Sequence, residues 1–461
     1  MFDVSALDAS FRAYVDEVTR GPVAPHAAFG ETLHYLGEHY TFDTPLPLTG
    51  IVDDVKRMLL TGNLHTTHPA YFGLFNPHVT LASVVADAMA AAANPQVGGW
   101  FHGPAPVEIE QHTLRFFARR FGLPDESQAH FTSGGSEANA TAVMCALVHA
   151  FPKWRRGGAR ALDRQPVLFV SVEAHHSFEK IAQQTGLGRD AVRVVEVDER
   201  DRMRAEALVN AIAEARARGE EPFFVVATAG TTGSGAIDPL KEIAAICARE
   251  KLWMHADAAW GGAAAVSDRL RPHLAGIEHA DSITCDAHKW LSVSMGAGMF
   301  FTRHRHVLRE AFSIDTPYVP KEGGPDFYAQ SVQWSRRFIG LKLFMTLAEL
   351  GAEGLAKQIE HHAEIAEVLR KRLIDTGWTI VSDSPLAIVC FTRDDVDIHA
   401  VCADVVRRGK AWISPLVREG RVPALRACVT NYETSERDVE ALIESLESAV
   451  ASSRSTARTP A

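Results

Sequence analysis

Two side chains near the middle of the chain are of the types that together hold and activate an aldehyde cofactor. Asp257 stands at the end of a short apolar run that begins at Leu252, and Lys289 follows a second such run in the string DAHKW. A lysine amine can condense with an aldehyde to form a Schiff base. A carboxylate can keep a ring nitrogen protonated, so that the ring withdraws electrons. Pyridoxal phosphate (PLP) chemistry requires both groups.

Each residue alone has an ordinary explanation, since an aspartate at a strand end is usually a helix cap and a single lysine is usually solvated. The longer strings favour chemistry. HADAAWGG followed by DAHKW closely resembles the group II PLP-dependent decarboxylases, the family of the aromatic amino acid and glutamate decarboxylases. The resemblance extends from about Thr67 to about Lys342, and more loosely to the C-terminus. It implies that Lys289 forms the Schiff base and that Asp257 pairs with the ring nitrogen.

A second motif could bind the cofactor's phosphate. Residues 131–150, FTSGGSEANATAVMCALVHA, are typical of a strand end, a glycine-rich turn and a helix. Gly134 and Gly135 let the backbone approach an anion, Ser136 supplies a hydroxyl, and the helix presents free N–H groups. Gly-Gly-Ser alone occurs in many turns. Its place before an apolar helix and upstream of Lys289 matches the phosphate loop of the family.

The resemblance implies further contacts with the cofactor. His175, in the string EAHHSFEK, aligns with the ring-stacking histidine of the family. A purely structural histidine is the alternative, and His176 beside it keeps the choice open. His288 would bind the phosphate together with the glycine-rich turn. Thr232 and Ala259 would contact the ring or its substituents.

Tyr318 is the candidate for the acid that protonates the substrate α-carbon. In the family, the corresponding loop closes over the site and often comes from the neighbouring subunit. Relatives with phenylalanine at this position release an aldehyde, so tyrosine here favours release of the amine. Without the resemblance, Tyr318 would be read as an exposed aromatic residue in a loop.

One position departs from the family. Many members have Asn-Pro before His-Lys, whereas this chain has Asp286 and Ala287. An acid that faces a phosphate is unfavourable because like charges repel. We therefore expect the Asp286 carboxyl to turn away or to accept backbone N–H bonds.

The segment that would line the substrate pocket carries little charge. Residues 64–106 contain no lysine or arginine, and Asp87 is their only acid. The string HPAYFG matches the segment that lines the substrate cavity in the family, although a buried loop with aromatic filler is the plainer reading. The candidate substrate contacts are Tyr71, Phe72, Trp100 and His102.

This segment favours an aromatic or otherwise neutral amino acid, such as tryptophan, tyrosine, phenylalanine or DOPA, which would be converted to its amine and CO2. Gly98 stands where aromatic-specific relatives often place a large side chain, so the cavity is expected to be wide. Glutamate and 2,4-diaminobutyrate are the alternative substrates. Another PLP carbon–carbon lyase or an aldehyde-forming synthase on the same fold is the alternative activity. A non-catalytic relative is disfavoured because both Lys289 and Asp257 are present.

The surrounding elements must bring these residues together. Between residues 166 and 301, short β-type runs alternate with helical stretches, which predicts a mainly parallel sheet covered on both faces. Ligands of such sheets bind beyond the carboxyl ends of the strands. The resemblance implies the PLP-dependent transferase fold type I, the aspartate aminotransferase-like α/β fold. The residues that each follow a β-type run are Ser136, His175, Thr232, Asp257 and Lys289.

The sequence predicts three structured parts and a tail. Residues 1–70 form an N-terminal helical segment, 71–346 a large PLP-binding α/β domain, 347–451 a small α+β domain, and 452–461 a disordered tail. The short N-terminal helices lack the area to form a core alone. In the family they wrap the partner subunit, which implies a homodimer with shared active sites.

Composition narrows the class of protein. The chain has 461 residues, 46% hydrophobic and 23% charged, as in ordinary globular proteins. A net charge of −10 argues against nucleic-acid binding. We expect no membrane span, since no run of apolar residues is long enough, and the N-terminus lacks the features of a signal peptide. The six scattered cysteines indicate reduced thiols in a cytoplasmic protein, with neither a disulfide framework nor a metal site.

Overall fold

The computed structural model describes residues 5–25, 27–314, 324–418 and 420–457. They divide into two compact units. The sheet unit comprises residues 79–364 and 382–388, and the terminal unit comprises the described parts of 1–78, 365–381 and 389–461. Within these described ranges, no helix combines the length and the apolar character that a bilayer span needs.

The helices of the described chain are numbered α1 to α14. The longest is interrupted at Gly351, whose φ is 67°. Their bounds are Ser5–Arg20, Glu31–His39, Leu48–Gly62, Leu81–Ala93, Pro104–Arg120, Gly135–Ala150, Trp154–Gly157, Ser177–Gln184, Ala205–Ala217, Leu240–Glu250, Val307–Phe312, Leu341–Asp375, Ile398–Arg407 and Glu436–Ala457.

The strands of the described chain are numbered β1 to β11 and form two sheets. The β-type runs that the sequence predicts between residues 166 and 301 are all strands of the first sheet, which confirms that prediction. Their bounds are Gln128–Thr132, Pro166–Ser171, Val192–Val195, Glu221–Thr228, Trp253–Asp257, Ser282–Asp286, Gly298–Thr302, Thr379–Ile380, Ile388–Thr392, Ser414–Leu416 and Ala424–Cys428.

The sheet unit is built on seven strands in the order β1-β7-β6-β5-β4-β2-β3. The pairs from β3 through β6 are parallel, and β7 runs antiparallel to both β6 and β1. Every residue of β2, β5, β6 and β7 is buried. Continuous burial is expected where both faces of a parallel sheet are covered, so the predicted mainly parallel α/β architecture is confirmed.

The topology brings several strand ends to one edge. β5 pairs with β6 so that Asp257 lies opposite Thr284, and neighbouring strands stand about 4.8 Å apart. β5 ends at Asp257 and β6 ends at Asp286. β1 is parallel to β6 through their common antiparallel neighbour, so Thr132, its last residue, lies at the same edge. The loops that leave this edge carry the candidate site.

The terminal unit joins both ends of the described chain. Its four strands have the order β10-β11-β9-β8. The amide of Val23 donates to Gly409 O at 2.9 Å, and the amide of Phe72 donates to Trp412 O at 2.9 Å. α14 ends at Ala457 and therefore includes the first residues of the predicted tail. The domain limits inferred from the sequence stay a prediction.

A buried ion pair anchors the segment that leads into α12. Glu110 on α5 and Arg336 are both fully buried, with Arg336 Nη1 3.3 Å from Glu110 Oε2. The other guanidinium nitrogen donates to Phe131 O of β1 at 2.8 Å, and the amide of Gly340 donates to Glu110 Oε1 at 3.0 Å. Burial raises the pKa of Glu110, and the guanidinium opposes that rise. α12 therefore begins only at Leu341, because these bonds hold residues 336–340 outside it.

Arg336→Met should destabilise the fold strongly, because it leaves the Glu110 carboxyl buried without its cation. The expected loss is about 3–5 kcal/mol in the free energy of unfolding, measured by urea denaturation. Lys357→Met is the control, since it breaks the exposed pair with Glu353, at 2.8 Å, and should leave the midpoint unchanged. Equal midpoints for the two variants would contradict this account of the pair.

Candidate active site

Lys289 lies in the turn after β6 and forms an ion pair with Asp286. Lys289 Nζ is 3.1 Å from Asp286 Oδ2, and the side chains are 20% and 2% exposed. The expectation that the Asp286 carboxyl turns away is wrong. β6 ends at Asp286 and the chain turns at once, with the Lys289 amide donating to Asp286 O at 3.3 Å. The turn therefore places residues 286 and 289 face to face.

Asp257 is buried, and its carboxylate accepts hydrogen bonds on both oxygens. Asn139 Nδ2 donates to Asp257 Oδ2 at 2.9 Å, and the amide of Ala259 donates to Oδ1 at 3.2 Å. Asn139 lies one turn into α6, so the helix that begins at Gly135 also supports Asp257. These two hydrogen bonds fix the orientation of the Asp257 carboxylate.

A chain of buried hydrogen bonds continues behind Asn139. Burial lowers the pKa of His255 to about 4, although Asp257 acts in the opposite direction, so the ring is neutral. Asn139 uses its amide nitrogen for Asp257, and its oxygen therefore accepts from His255 Nε2 at 3.1 Å. His255 Nδ1 then accepts from the Ser282 hydroxyl at 2.8 Å, whose oxygen accepts from Trp253 Nε1 at 2.8 Å. Every donor in this chain points toward Asp257.

His175 follows β2 and lies within electrostatic reach of the central charges. The residue is exposed to solvent, but the protein around its ring is dense enough to lower the pKa of His175. The charge of Lys289 also lowers this pKa, whereas the charge of Asp257 raises it. The amide of Ser177 donates to His175 Nδ1 at 3.2 Å. His176 instead has its Nδ1 3.6 Å from Glu179 on α8. The structure thus brings His175, and not its neighbour, toward the lysine and the aspartate.

The glycine-rich turn and His288 form a cradle at the start of α6. A Cβ at Gly135 would lie 2.8 Å from Asp286 Oδ2, and one at Gly134 would lie 3.4 Å from His288 Cε1. The amide of Ala297 donates to His288 Nδ1 at 3.1 Å, and burial lowers the pKa of His288. The neutral ring therefore carries its hydrogen on Nε2. The backbone N–H groups at the start of α6 and the Nε2–H group of His288 therefore lie close together.

Three more predicted residues lie at the same edge of the sheet. Ser136 is exposed in the first turn of α6, and Thr232 is exposed in the turn after β4. Ala259 joins the two acids, since its amide donates to Asp257 and its carbonyl accepts from the amide of Asp286 at 3.0 Å. The cofactor contacts predicted from the sequence thus meet at one edge.

Trp100 and His102 lie on a different segment of the sheet unit. Trp100 Nε1 donates to Glu108 Oε1 at 2.9 Å, and the Trp100 ring lies against Gly324, where a Cβ would come within 2.2 Å. His102 is exposed, and its ring centroid is 4.0 Å from that of Phe101. Trp100 therefore contacts the segment that follows residues 315–323.

Tyr71 and Phe72 belong to the terminal unit. Both are buried, with exposed fractions of 1% and 0%. The Tyr71 ring stacks on Trp412 with 5.4 Å between centroids, and its hydroxyl accepts from the amide of Leu74 at 3.0 Å. Burial raises the pKa of Tyr71 to about 12. Tyr318 lies outside the described residues.

The arrangement in the sheet unit fits the three ends of PLP. It offers an amine for the aldehyde, a hydrogen-bonded carboxylate for the ring nitrogen, and glycines with a helix N-terminus for the phosphate. Comparison with known proteins decides the family. The profile of the pyridoxal-dependent decarboxylase conserved domain matches residues 32–393. The chain belongs to this family.

Relatives agree with that assignment. Tryptophan decarboxylase 2 of Oryza sativa subsp. japonica is 30% identical over 86% of this chain and 84% of that protein. Acidic amino acid decarboxylase GADL1 of Bos taurus is 29% identical over 84% of this chain and 78% of that protein. The crystal structure of mouse CSAD in apo form has a TM-score of 0.89 at 26% identity, over 97% of this chain and 99% of that one. The protein is a PLP-dependent amino acid decarboxylase with the fold that the sequence predicts.

Asn139 and His255 are residues that sequence reasoning missed. Asn139 sits among alanines and other small residues of α6, and His255 interrupts an apolar strand run. A polar side chain within a buried element needs a partner, which was the available signal. In this decarboxylase, His255 and Asp257 lie 116 and 118 residues from Asn139 in the chain, so spacing alone could not identify these partners.

Asn139→Leu should weaken cofactor binding by about tenfold to a hundredfold, because it removes a hydrogen bond to a charged group worth about 1.5–3 kcal/mol. Titration of the apoprotein with PLP, followed by absorbance, would measure the dissociation constant. The control is Ser177→Ala, which removes only the longer contact of the same amide, at 3.3 Å, and should leave the affinity nearly unchanged. If both variants bind PLP like the wild type, Asn139 does not support Asp257.

Proposed function

We propose that this decarboxylase acts on an aromatic L-amino acid of the tryptophan, tyrosine, phenylalanine or DOPA type, and releases the amine and CO2. The state of Asp87, the single acid of residues 64–106, supports this most directly. Its Oδ1 is 3.0 Å from Arg337, and its Oδ2 is 3.5 Å from Lys342 and accepts from the Ser294 hydroxyl. Asp87 is thus committed to two cations, which disfavours a diamino acid that needs a carboxylate partner.

The same segment disfavours an acidic substrate. A side-chain carboxylate would require a cation, and residues 64–106 contain no lysine or arginine. Relatives named for aromatic and for acidic substrates match this chain about equally well. The substrate preference therefore rests on the charge of this segment. Aromatic side chains there, including Trp100, suit a large neutral substrate, and Tyr71, Phe72 and His102 stay candidates for contacts with it.

The proposed roles follow from the geometry of the sheet unit. PLP supplies the aldehyde and the electron-withdrawing ring. The Lys289 amine attaches the cofactor, and Asp257, held in place by Asn139 and a backbone amide, keeps the ring nitrogen protonated. His175 covers one face of the ring. The residues proposed to bind the phosphate or the ring substituents are Gly135, Ser136, Thr232, Ala259 and His288.

We assign the proton donor for the α-carbon to Tyr318. The chain beyond residue 323 is tied to the helix that would hold the phosphate, since Gln333 Nε2 donates to Glu137 Oε1 at 2.8 Å. A tyrosine hydroxyl in this position can deliver a proton, so we expect the amine rather than an aldehyde as product.

Purified enzyme with PLP should release CO2 and amine from at least one of tryptophan, tyrosine, phenylalanine and DOPA. Lys289→Ala should abolish release, whereas Lys241→Ala, at an exposed lysine of α10, should retain it. Tyr318→Phe should shift the product toward an aldehyde. Chromatography of the products with a CO2 assay would measure all three.

Release of CO2 only from glutamate or 2,4-diaminobutyrate would defeat the aromatic assignment. An aldehyde from the wild-type enzyme would support the aldehyde-forming synthase instead. Cleavage of a phosphorylated amino alcohol without CO2 release would support another carbon–carbon lyase.

We also propose a homodimer with shared active sites. The N-terminal helices and their connections expose large apolar side chains, with exposed fractions of 109% for Phe29, 75% for Leu33, 91% for Phe42 and 66% for Leu48. Exposed apolar surface of this kind typically marks an interaction site. A second copy of the chain is the partner that the family resemblance supports.

Light scattering should give about twice the chain mass of 50.3 kDa for the wild type. The double substitution Leu33→Glu with Phe42→Glu should shift the population toward monomer, because it places charge in an apolar interface. Val422→Glu, at an exposed position of the terminal unit, is the matched control. A wild-type monomer at micromolar concentration would rule out the dimer.

A cytoplasmic location is proposed as well. All six cysteines are free and buried. Proteins of oxidising compartments commonly pair such thiols as disulfides.

A further inference from the structure

Asp286 places a buried carboxylate inside the cradle proposed for the phosphate. Its Oδ2 is 3.1 Å from Lys289 Nζ and 3.9 Å from His288 Nε2, and the side chain is 2% exposed. Gly135, the first residue of α6, comes so close that a Cβ would lie 2.8 Å from the same oxygen. A phosphate at the start of α6 would therefore meet an acid.

The second oxygen of this carboxylate has no hydrogen-bond donor among the described residues. Asp286 Oδ1 is a buried acceptor, and leaving such an atom without a hydrogen bond is unfavourable, more so when it carries charge. A ligand group that donates a hydrogen would remove this cost. A fully ionised phosphate only accepts, whereas a phosphate that keeps one proton can donate it.

The groups around Asp286 leave little positive charge to balance two acids. Burial lowers the pKa values of His288 and His175, although Asp286 opposes this in both, and burial raises the pKa of the Cys285 thiol. Burial therefore favours the neutral form of all three groups. Lys289 is the cation beside Asp286, but its amine is the group that reacts with the aldehyde of the cofactor. The titratable groups that interact with Asp286 are Lys289 and His288 on the same turn, Cys285 on β6 and His175 after β2. Asp257 acts on His175, and Lys342 acts on His288.

We propose that Asp286 and the phosphate ester of the cofactor share one proton, so that cofactor binding takes up a proton from solvent and weakens as the pH rises. A carboxylate, a dianionic ester and one proton combine into a single hydrogen-bonded pair with one negative charge fewer. Two acids in contact in a buried site cannot both be fully ionised without a large penalty. The second pKa of a phosphate ester is about 6, so above that pH the proton comes from solvent.

This inference rests on the cofactor and not on the substrate proposed above. One bound proton changes affinity by up to tenfold for each pH unit above about 6. Loss of a proton from Lys289 also affects binding of any aldehyde. The ratio of the affinities for PLP and for pyridoxal, which lacks the phosphate, cancels that contribution because both carry the same aldehyde.

The test is to measure this ratio between about pH 6.5 and about pH 8.5 by absorbance titration of the apoprotein. In the wild type the preference for PLP over pyridoxal should fall by up to about a hundredfold over this range. In Asp286→Asn, which keeps the shape and removes the charge, the preference should be higher at the alkaline end and nearly independent of pH. Equal pH slopes for the two proteins would overturn the proposal.

A second measurement needs no variant and covers the case in which Asp286→Asn does not fold. Inorganic phosphate can donate a proton near neutral pH, whereas sulfate only accepts. Phosphate should therefore compete with PLP for the wild-type apoprotein at about pH 6.5 at concentrations where sulfate does not. This advantage should persist at about pH 8.5, because inorganic phosphate, unlike the ester, still keeps one proton there. Equal competition by both anions would overturn the proposal. Neither experiment depends on turnover, so failure of the substrate assignment leaves both results interpretable.

Discussion

The parallel pairing of β5 with β6 is the constraint on which the site depends. It places the last residue of each strand at one edge of the sheet, so Asp257 and the turn that carries Lys289 become neighbours. Parallel strands must be joined by crossovers, and the chain between residues 257 and 282 supplies one within the same unit. The acid and the amine are thus far apart in sequence but adjacent in space because of backbone hydrogen bonding.

Helix α6 connects this edge to the rest of the site. Its first residue, Gly135, leaves the backbone open to an anion, and one turn later Asn139 donates to Asp257. A shift of this helix would therefore disturb the proposed phosphate and ring-nitrogen contacts together. The buried pair Glu110–Arg336 bears on the same region, because Arg336 also donates to the backbone of β1 just before the glycine-rich turn. The ion pair between Glu110 and Arg336 can therefore affect the position of the glycine-rich turn through β1.

Asp257 and Asp286 differ in the hydrogen-bond donors around their carboxylates, and this difference determines which ligand groups each can contact. Asp257 accepts hydrogen bonds on both oxygens, and the chain through His255 directs its donors toward it. These bonds fix the carboxylate of Asp257 in position to pair with a ring nitrogen. Asp286 has a cation on one oxygen and no donor from the described chain on the other. Its second oxygen is therefore open to a ligand group that donates a hydrogen bond.

The sequence by itself determined the alternation of strands and helices between residues 166 and 301, the mainly parallel sheet, and the placement of Lys289, Asp257 and Ser136 at one edge. These features depend on local apolar patterns and on glycines in short stretches of chain, and the long family strings identified the chemistry. Only the tertiary structure decided which side chains support the acids and which way Asp286 faces. Asn139 and Asp257 are 118 residues apart, and Glu110 and Arg336 are 226 apart. Such pairs depend on how the elements pack. The start of α12 at Leu341 depends on packing too, because the buried hydrogen bonds of residues 336–340 outweigh the helical preference of those residues.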